Sequence, residues 1–191
     1  KAMLGTAMHP DNVAAVLEAV SLLTELGHDL GAADLPIDPV EQARTYLVCV
    51  AAGVGAAIAE TEEQTGRPPH AGDFELPTWF LGQVGRELSA VEHAQARAVT
   101  MRTGRQIAAL YEEHNLDLHL SATLAYPPSR VGELEIGNAE RIALAALRRA
   151  ATGRVLRMVL DQLAADSLAK SPNTQLFNMT GQPAMSVPLV W

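Results

Sequence analysis

The sequence predicts an α/β fold in which helices cover a mixed β-sheet. Long stretches carry apolar residues at helical spacing. Three short segments between them, 28–34, 116–124 and 184–190, are interpreted as strands. Because three strands separated by long helical stretches do not form a stable sheet alone, we expect strands from elsewhere to complete it.

The first helix is predicted to begin just after His9 and to end before Gly27. Asp11 or Asn12 can accept hydrogen bonds from the free N–H groups of its first turn. Gly27 suits the position after the helix, because glycine adopts a positive φ without steric cost. Apolar residues recur at helical spacing in between, at Val13, Val16, Leu17, Val20, Leu23 and Leu26.

The second helix has a sharper start. Asp38 is the predicted N-cap, and Glu41 follows it at the spacing of a capping box. The helix is expected to run to about Gln64. Gly53 and Gly55 lie inside it, where each glycine costs about 1 kcal/mol relative to alanine, so they indicate either close backbone packing or a break.

Two more helices are predicted in the middle of the chain. A short one surrounds Trp79, after a loop rich in Pro and Gly. Ser89 and Glu92 form a second capping box, which begins a long helix to about Glu113. Asn115 can take the left-handed conformation that ends this helix.

The last third of the sequence predicts two helices and a turn. One helix begins at Asn138 and has apolar positions as far as Leu163. A shorter helix begins at Ser171 and reaches about Met179. The turn at 181–183 then leads into the final predicted strand.

Charge and cysteine content exclude some classes of protein. The net charge of −8 is spread along the chain, which disfavours nucleic-acid binding because a duplex binder needs clustered cations. The single cysteine, Cys49, allows no internal disulfide and fits a reducing, cytoplasmic setting. No apolar run reaches the ~20 residues that span a bilayer, so no membrane partner is expected. The densest basic group falls at helical spacing and is interpreted as a solvated helix face: Arg141, Arg148, Arg149, Arg154 and Arg157.

No metal or cofactor is expected. The histidines lack the paired spacing typical of zinc sites. The segment 53–58 begins like a dinucleotide-binding loop. However, no strand precedes it and its third glycine is missing.

Three segments carry a resemblance to one enzyme family. Residues 174–188 read Thr-Gln-Leu-Phe-Asn-Met-Thr-Gly-Gln-Pro-Ala-Met-Ser-Val-Pro. Residues 9–28 carry an acidic residue, an apolar helix and Leu-Gly-His, and 116–128 run from an Asp to paired prolines. Together they resemble the carboxyl-terminal part of the amidase signature family, with His119 and Ala122 as two departures from its pattern.

The resemblance implies a mechanism whose catalytic groups lie elsewhere. The family uses a Ser nucleophile in a Gly- and Ser-rich loop, a second Ser with a cis peptide bond, and a Lys base. This sequence has no Gly-Gly-Ser-Ser-Gly run, and its only lysines are Lys1 and Lys170. No catalytic role is therefore given to any residue here. The adjacent Lys170 and Ser171 are interpreted as a solvated lysine beside a helix cap.

The resemblance also implies a division of labour. Residues 1–191 are expected to be the carboxyl-terminal portion of a single amidase signature domain, partnered by a catalytic amino-terminal portion that precedes Lys1. The whole would hydrolyse a small-molecule carboxamide to acid and amine or ammonia through an acyl-serine intermediate. The abundant aliphatic residues suggest an uncharged pocket for aliphatic or cyclic amides. The alternatives are a non-catalytic binding module and a glutamine amidotransferase-type subunit, and a homodimer is left open.

Four residues are candidates for contact with substrate. In the family, the helix equivalent to 171–179 lines the acyl pocket or braces the catalytic loop, which selects Thr174, Phe177 and Asn178. A plain structural turn is the alternative for this segment. Cys49 is either a small buried apolar residue or a pocket-lining thiol. The aromatic pair at 79–80 either gates a pocket or packs in the core.

Overall fold

A computed structural model describes residues 7–132, 137 and 173–188, and this part of the chain is helical. It contains no strand, so the predicted mixed α/β sheet is wrong for these residues. The helix predicted from Asn138, the basic arginine group, and the pair Lys170 and Ser171 lie outside the described residues. The described helices are α1 (Pro10–Glu25), α2 (Pro39–Thr65), α3 (Leu76–Glu87), α4 (Ala90–His114) and α5 (Thr174–Thr180).

The three runs interpreted as strands have irregular backbone instead. This holds for 28–34, for 116–124 and for the described part of the third run, 184–188. In the second run, side-chain amides donate hydrogen bonds to backbone carbonyl oxygens that would accept from a neighbouring strand in a sheet. Asn12 Nδ2 donates to the carbonyl of Leu124 at 2.7 Å. Such bonds replace a strand ladder, because a backbone acceptor needs only some donor and not a strand.

Contacts divide the chain into two units, which are described separately. Unit 1 comprises residues 1–43, 99–129 and 167–191, and unit 2 comprises 44–98 and 130–166. The three segments that carry the family resemblance, 9–28, 116–128 and 174–188, all belong to unit 1. The predicted substrate residue Cys49 belongs to unit 2.

Helix α1 ends where predicted but is capped differently at its start. His9 is the N-cap, and its Nδ1 accepts a hydrogen bond from the N–H of Asp11 at 3.3 Å. Neither Asp11 nor Asn12 caps the helix, because both lie within it. At the other end Gly27 has φ +91°, as the position after a helix requires.

The predicted N-cap of α2 and the predicted capping box of α4 are confirmed, whereas the side chain of Glu41 pairs with Arg102. Asp38 Oδ1 accepts from the N–H of Val40 at 2.9 Å and from that of Glu41 at 3.2 Å. Ser89 N–H donates to Glu92 Oε2 at 2.9 Å, and Glu92 N–H donates to Ser89 Oγ at 3.1 Å. This reciprocal pair is a capping box. After α4, the residue at 115 is left-handed with φ 51°.

The core of unit 2 forms where α2 meets α3 and the start of α4. Trp79 stacks on Phe74 with ring centroids 5.8 Å apart and is half-buried. Phe80 is 3% exposed, so of the two predicted roles it has the packing one. Cys49 is half-buried and packs against this core, which consists of Leu47, Val48, Ala51, Phe80, Val84 and Ala96.

Glycine allows α2 and α3 to approach through their backbones. A Cβ added to Gly85 would overlap the carbonyl oxygen of Ala51, and one added to Gly55 would lie 3.2 Å from the carbonyl oxygen of Gly82. Gly53, by contrast, faces open space. The glycines of α2 therefore differ: Gly55 serves close packing, as one of the two predicted alternatives has it, and neither breaks the helix.

The loop between α2 and α3 is fixed by an ion pair. Arg67 donates from Nη1 and Nη2 to the two carboxylate oxygens of Asp73, both at 2.8 Å. The N–H of His70 adds a third bond to the same carboxylate at 2.8 Å. These bonds lower the pKa of Asp73 to about 2, chiefly through the Arg67 hydrogen bonds.

Unit 1 includes a buried polar contact beside its apolar core. Gln42, 2% exposed, donates from Nε2 to the hydroxyl of Thr103, which is 1% exposed. Near the surface, Arg102 pairs with Glu41 at 2.7 Å. The buried apolar residues of this unit are Ala19, Ala43, Ile107, Ala125 and Leu176.

Among the described residues, α2 alone is long and apolar enough to cross a bilayer by length and composition. The core helix of a soluble protein passes the same test, and α2 supplies Leu47, Val48 and Ala51 to the core of unit 2. A cytoplasmic location therefore stays a prediction.

Candidate functional site

The segments that resemble the amidase signature family meet within unit 1. Residues 116–128 are hydrogen-bonded both to the start of α1 and to the segment 173–186. These three segments are far apart in the sequence, so only the fold brings them together. This meeting point is the candidate site.

The start of α1 is bonded to the carboxyl end of the 116–128 segment. The N–H of His9 donates to the carbonyl of Ala125 at 2.8 Å. Asn12 Nδ2 donates to the carbonyl of Leu124. The ring of His9 also faces that of Tyr126, with centroids 6.5 Å apart and planes 62° apart. Two consecutive carbonyls are thus held by one helix start.

Helix α5 is bonded to the same segment from its own amino end. Asn173 Nδ2 donates to the carbonyl of Ala122 at 2.8 Å. Gly181 ends the helix in the left-handed conformation, with φ 77°, and its N–H donates to the carbonyl of Phe177. The backbone at Gly104 on α4 comes close to Thr180, since a Cβ added there would lie 3.8 Å from the Thr180 Cβ.

A pair of hydroxyls joins the chain after α5 to the same segment. Thr123 Oγ1 and Ser186 Oγ are 2.8 Å apart, and both side chains are exposed. A hydroxyl becomes a useful nucleophile when a base removes its proton. The partner of Ser186 in this bond is another hydroxyl, which is no base, so the pair is suited to joining segments rather than to attacking a carbonyl.

His119 lies against helix α5. Its imidazole faces the ring of Phe177, with centroids 5.9 Å apart and planes 43° apart. Burial lowers the pKa of His119 below its ordinary 6.5, because the charged imidazolium loses hydration there. At neutral pH this ring is therefore uncharged and can pack on an aromatic neighbour. The departure from the family pattern at 119 thus contacts a predicted substrate residue.

The predicted substrate residues on α5 are not equally placed. Thr174 and Phe177 are half-buried, whereas Asn178 is exposed. The face that the helix buries carries Gln175, 6% exposed, and Leu176, 1% exposed. The expectation that Thr174 and Asn178 share one functional face therefore rests on spacing alone, and contact with substrate stays a prediction for all three.

Cys49 has a different setting from the other candidates. It lies on α2 in unit 2 and packs beside Leu47, Val48 and Ala51. This is the setting expected for a small apolar residue. A contact between its thiol and substrate stays a prediction.

The described residues hold no group of three or more His, Cys, Asp or Glu side chains that could bind a metal ion. Their chemistry at the candidate site is that of amides, hydroxyls and aromatic rings, which position groups and bind through hydrogen bonds.

Sequence reasoning missed the two asparagines that bind the central segment. Asn12 is predicted as a helix cap, and Asn173 receives no role. Each stands within or beside a segment that carries the family resemblance, and this was the available signal. An asparagine near a helix start can bond its own backbone or a distant carbonyl, and spacing does not distinguish the two.

Comparisons with known proteins find relatives named as amidases. The chain is 26% identical over 184 residues to a protein named "Lipoamidase" from Enterococcus faecalis, covering 96% of this chain and 25% of that protein. It is 26% identical over 176 residues to proteins named "Putative amidase AmiB2" from Mycobacterium bovis and Mycobacterium tuberculosis, covering 92% of this chain and 31% of those proteins.

The chain therefore spans between a quarter and a third of the length of these relatives. No family model matches it. No solved structure matches it either. The similarity indicates an amidase-type relationship without assigning the chain to a family.

Proposed function

We propose that this chain is the carboxyl-terminal part of an amide hydrolase of the amidase signature type. The observation that carries the proposal is the meeting of 9–16, 116–128 and 173–188 in unit 1. The segments selected for family resemblance are the ones that bind each other. Similarity to proteins named lipoamidase and amidase, over nearly the whole chain, supports the same class of reaction.

The reaction in this proposal uses groups outside the 191 residues. A serine hydroxyl attacks the amide carbonyl, while a lysine takes the hydroxyl proton and delivers it to the leaving amine. Backbone N–H groups stabilise the oxyanion. Water then hydrolyses the acyl-serine to release the acid. The sequence contains no Gly-Gly-Ser-Ser-Gly loop, which is why we place the nucleophile elsewhere.

This chain's own contribution is one wall of the substrate pocket. Phe177 offers an aromatic face, and His119 packs on it as a neutral ring. Thr174 and Asn178 offer hydrogen-bonding groups on the same short helix. A wall of this kind accommodates an uncharged acyl chain, because it presents no fixed charge in the described residues of α5.

The test compares the 191-residue chain with the product of the complete gene that encodes it. Both are assayed for release of acid and amine from lipoamide, a linear aliphatic amide, a cyclic amide and glutamine. We expect turnover of a neutral amide by the complete product and none by the 191 residues. Turnover by the 191 residues alone would refute the division of labour, and turnover of glutamine alone would favour an amidotransferase-type subunit.

A variant locates the pocket wall. Phe177→Ala in the complete enzyme should raise KM for amides with bulky acyl groups by roughly tenfold, because one missing apolar contact is worth about 1–3 kcal/mol. Asn178→Ala removes a hydrogen-bonding group and keeps the aromatic face, so it should raise KM for these amides less than Phe177→Ala does. Equal kinetics for the parent enzyme and Phe177→Ala would remove α5 from the pocket.

A further inference from the structure

Two irregular segments of unit 1 expose large apolar side chains. Within 116–128, Leu118 is 86% exposed and Leu120 is 40% exposed. Within 181–188, Met185 is 88% exposed and Val187 is 52% exposed. We call these four residues the apolar patch. Single exposed apolar residues are normal on protein surfaces, whereas a group of them marks an interaction site.

The four residues lie close enough to serve one interface. The Thr123–Ser186 hydrogen bond joins their segments, and Met185 and Val187 flank one of its two residues. A chain advances at most ~3.6 Å per residue, so Leu118 lies within about 18 Å of Thr123 along the backbone. A standard protein–protein interface buries about 800 Å² on each side, which is a disc of roughly 16 Å radius. The apolar patch fits within one such interface.

The backbone that presents the patch is anchored. The carbonyls of Ala122 and Leu124 accept bonds from Asn173 and Asn12, and the carbonyl of Ala125 accepts one from α1. Leu120 stands two residues before the first of these carbonyls. Side chains on an anchored backbone need less ordering when a partner binds, which favours a preformed interface.

We propose that the apolar patch is the docking surface for the remaining polypeptide of the amide hydrolase. This inference rests on the proposed function. The occupant is chosen because the matched relatives are three to four times longer than the match, which itself spans 92–96% of this chain. Burying the four apolar side chains against apolar surface of that polypeptide is favourable, because it removes apolar area from water.

Methionine oxidation tests the docking surface directly. The complete gene product and the 191-residue chain are treated with hydrogen peroxide, and oxidation of each methionine is followed by peptide mass spectrometry. We expect Met185 to oxidise at least fivefold more slowly in the complete enzyme than in the 191 residues. Met101, which is 56% exposed on α4 and outside the patch, is the internal control and should change less than twofold.

Equal oxidation of Met185 in both samples overturns the proposal. So does a complete gene product that consists of these 191 residues. Protection of Met185 that rises with the concentration of the 191 residues alone, together with dimer formation in sedimentation, identifies a second copy as the occupant and also overturns it.

The same samples separate this inference from the proposed function. Protected Met185 without turnover of any amide leaves the docking surface standing and removes the activity. Amide turnover with unprotected Met185 does the reverse. Each result is read from an independent measurement.

Substitutions provide a second test. The pair Leu118→Asp and Met185→Asp should lower the yield of assembled, active enzyme by at least tenfold, while the circular dichroism of the 191 residues stays unchanged. Val91→Asp, at a 65% exposed position of unit 2, is the matched control and should leave the yield within twofold. Wild-type yield from the Leu118 and Met185 double variant would overturn the proposal even if oxidation rates differ.

Discussion

The imidazole of His119 packs against the phenyl ring of Phe177, with the ring centroids 5.9 Å apart. This contact joins the 116–128 segment to α5, in addition to the hydrogen bond that the side-chain amide of Asn173 donates to the carbonyl of Ala122. Because burial lowers the pKa of His119, the contact is made by the neutral ring at physiological pH. The stability of unit 1 therefore depends on pH through this residue.

Acid should destabilise the fold through His119. Its pKa in the folded chain lies below the 6.5 of the free side chain, so the unfolded chain binds the proton more readily. The contribution of the neutral His119 ring to the stability of the fold is then complete above pH 6.5, and this contribution is lost as the pH falls below that value. We expect the fall in melting temperature between pH 7.5 and pH 5 to be smaller in His119→Leu than in the parent. His28→Leu, at an exposed position, should keep the parent slope; equal slopes in all three proteins would contradict the assignment.

Alanine should have opposite effects at two helix-interior glycines. Gly85→Ala places a methyl group against the Ala51 carbonyl and should lower the free energy of unfolding by about 1–3 kcal/mol. Gly53→Ala enters open space and should raise it by roughly 0.5–1 kcal/mol, because alanine loses less conformational freedom in a helix. Urea unfolding measures both. A gain in stability from Gly85→Ala would show that α3 can move away from α2 at little cost.

Asn12 should be needed as an amide donor. Asn12→Asp removes the bond to the Leu124 carbonyl and sets a carboxylate against that oxygen, so it should destabilise the chain by about 1–3 kcal/mol. The control is Asp11→Asn, which replaces a carboxylate by an amide at the neighbouring, exposed position. It should cost no more than about 1 kcal/mol, the usual effect of one charge at a helix start. Similar losses from both variants in thermal unfolding would assign the effect to the helix rather than to the Leu124 bond.

The carboxyl group of Asp73 should titrate near pH 2. Hydrogen bonds from Arg67 and then from the N–H of His70 lower its pKa to about 2. In Arg67→Gln the midpoint should rise toward the ordinary 3.8, as followed by carbon NMR of the carboxyl group. The loop contacts made by this carboxylate are then complete above pH 3.8 and are lost as the pH falls toward 2. An unchanged midpoint in Arg67→Gln, with Arg86→Gln as the control, would assign the low pKa to the loop backbone.

Local signals predicted the helix ends well. Asp38, Ser89 and Glu92 act as predicted because a cap bonds to N–H groups only two or three residues away. The positive φ at Gly27 and Asn115 has the same local origin. The first cap was wrong because His9, which is rarely considered for this role, offers a ring nitrogen at the right place.

The strand predictions are wrong because a strand forms only with partners that are distant in the sequence. An apolar run such as 116–124 does not specify what its carbonyls bond to, and here Asn12 and Asn173 supply donors. The candidate site was predicted only as separate segments for a related reason. Nothing in the spacing of His119 and Phe177 indicates that their rings meet, since 57 intervening residues separate them.

The bare backbone at Gly85 gives a criterion for choosing true relatives of this chain. A protein with any residue larger than glycine at the position of Gly85 must hold α2 and α3 farther apart. Its distance between these two helices then differs from the distance in unit 2. At 26% identity, where alignments are uncertain, position 85 can separate sequences that inherit this packing of α2 on α3 from sequences that do not.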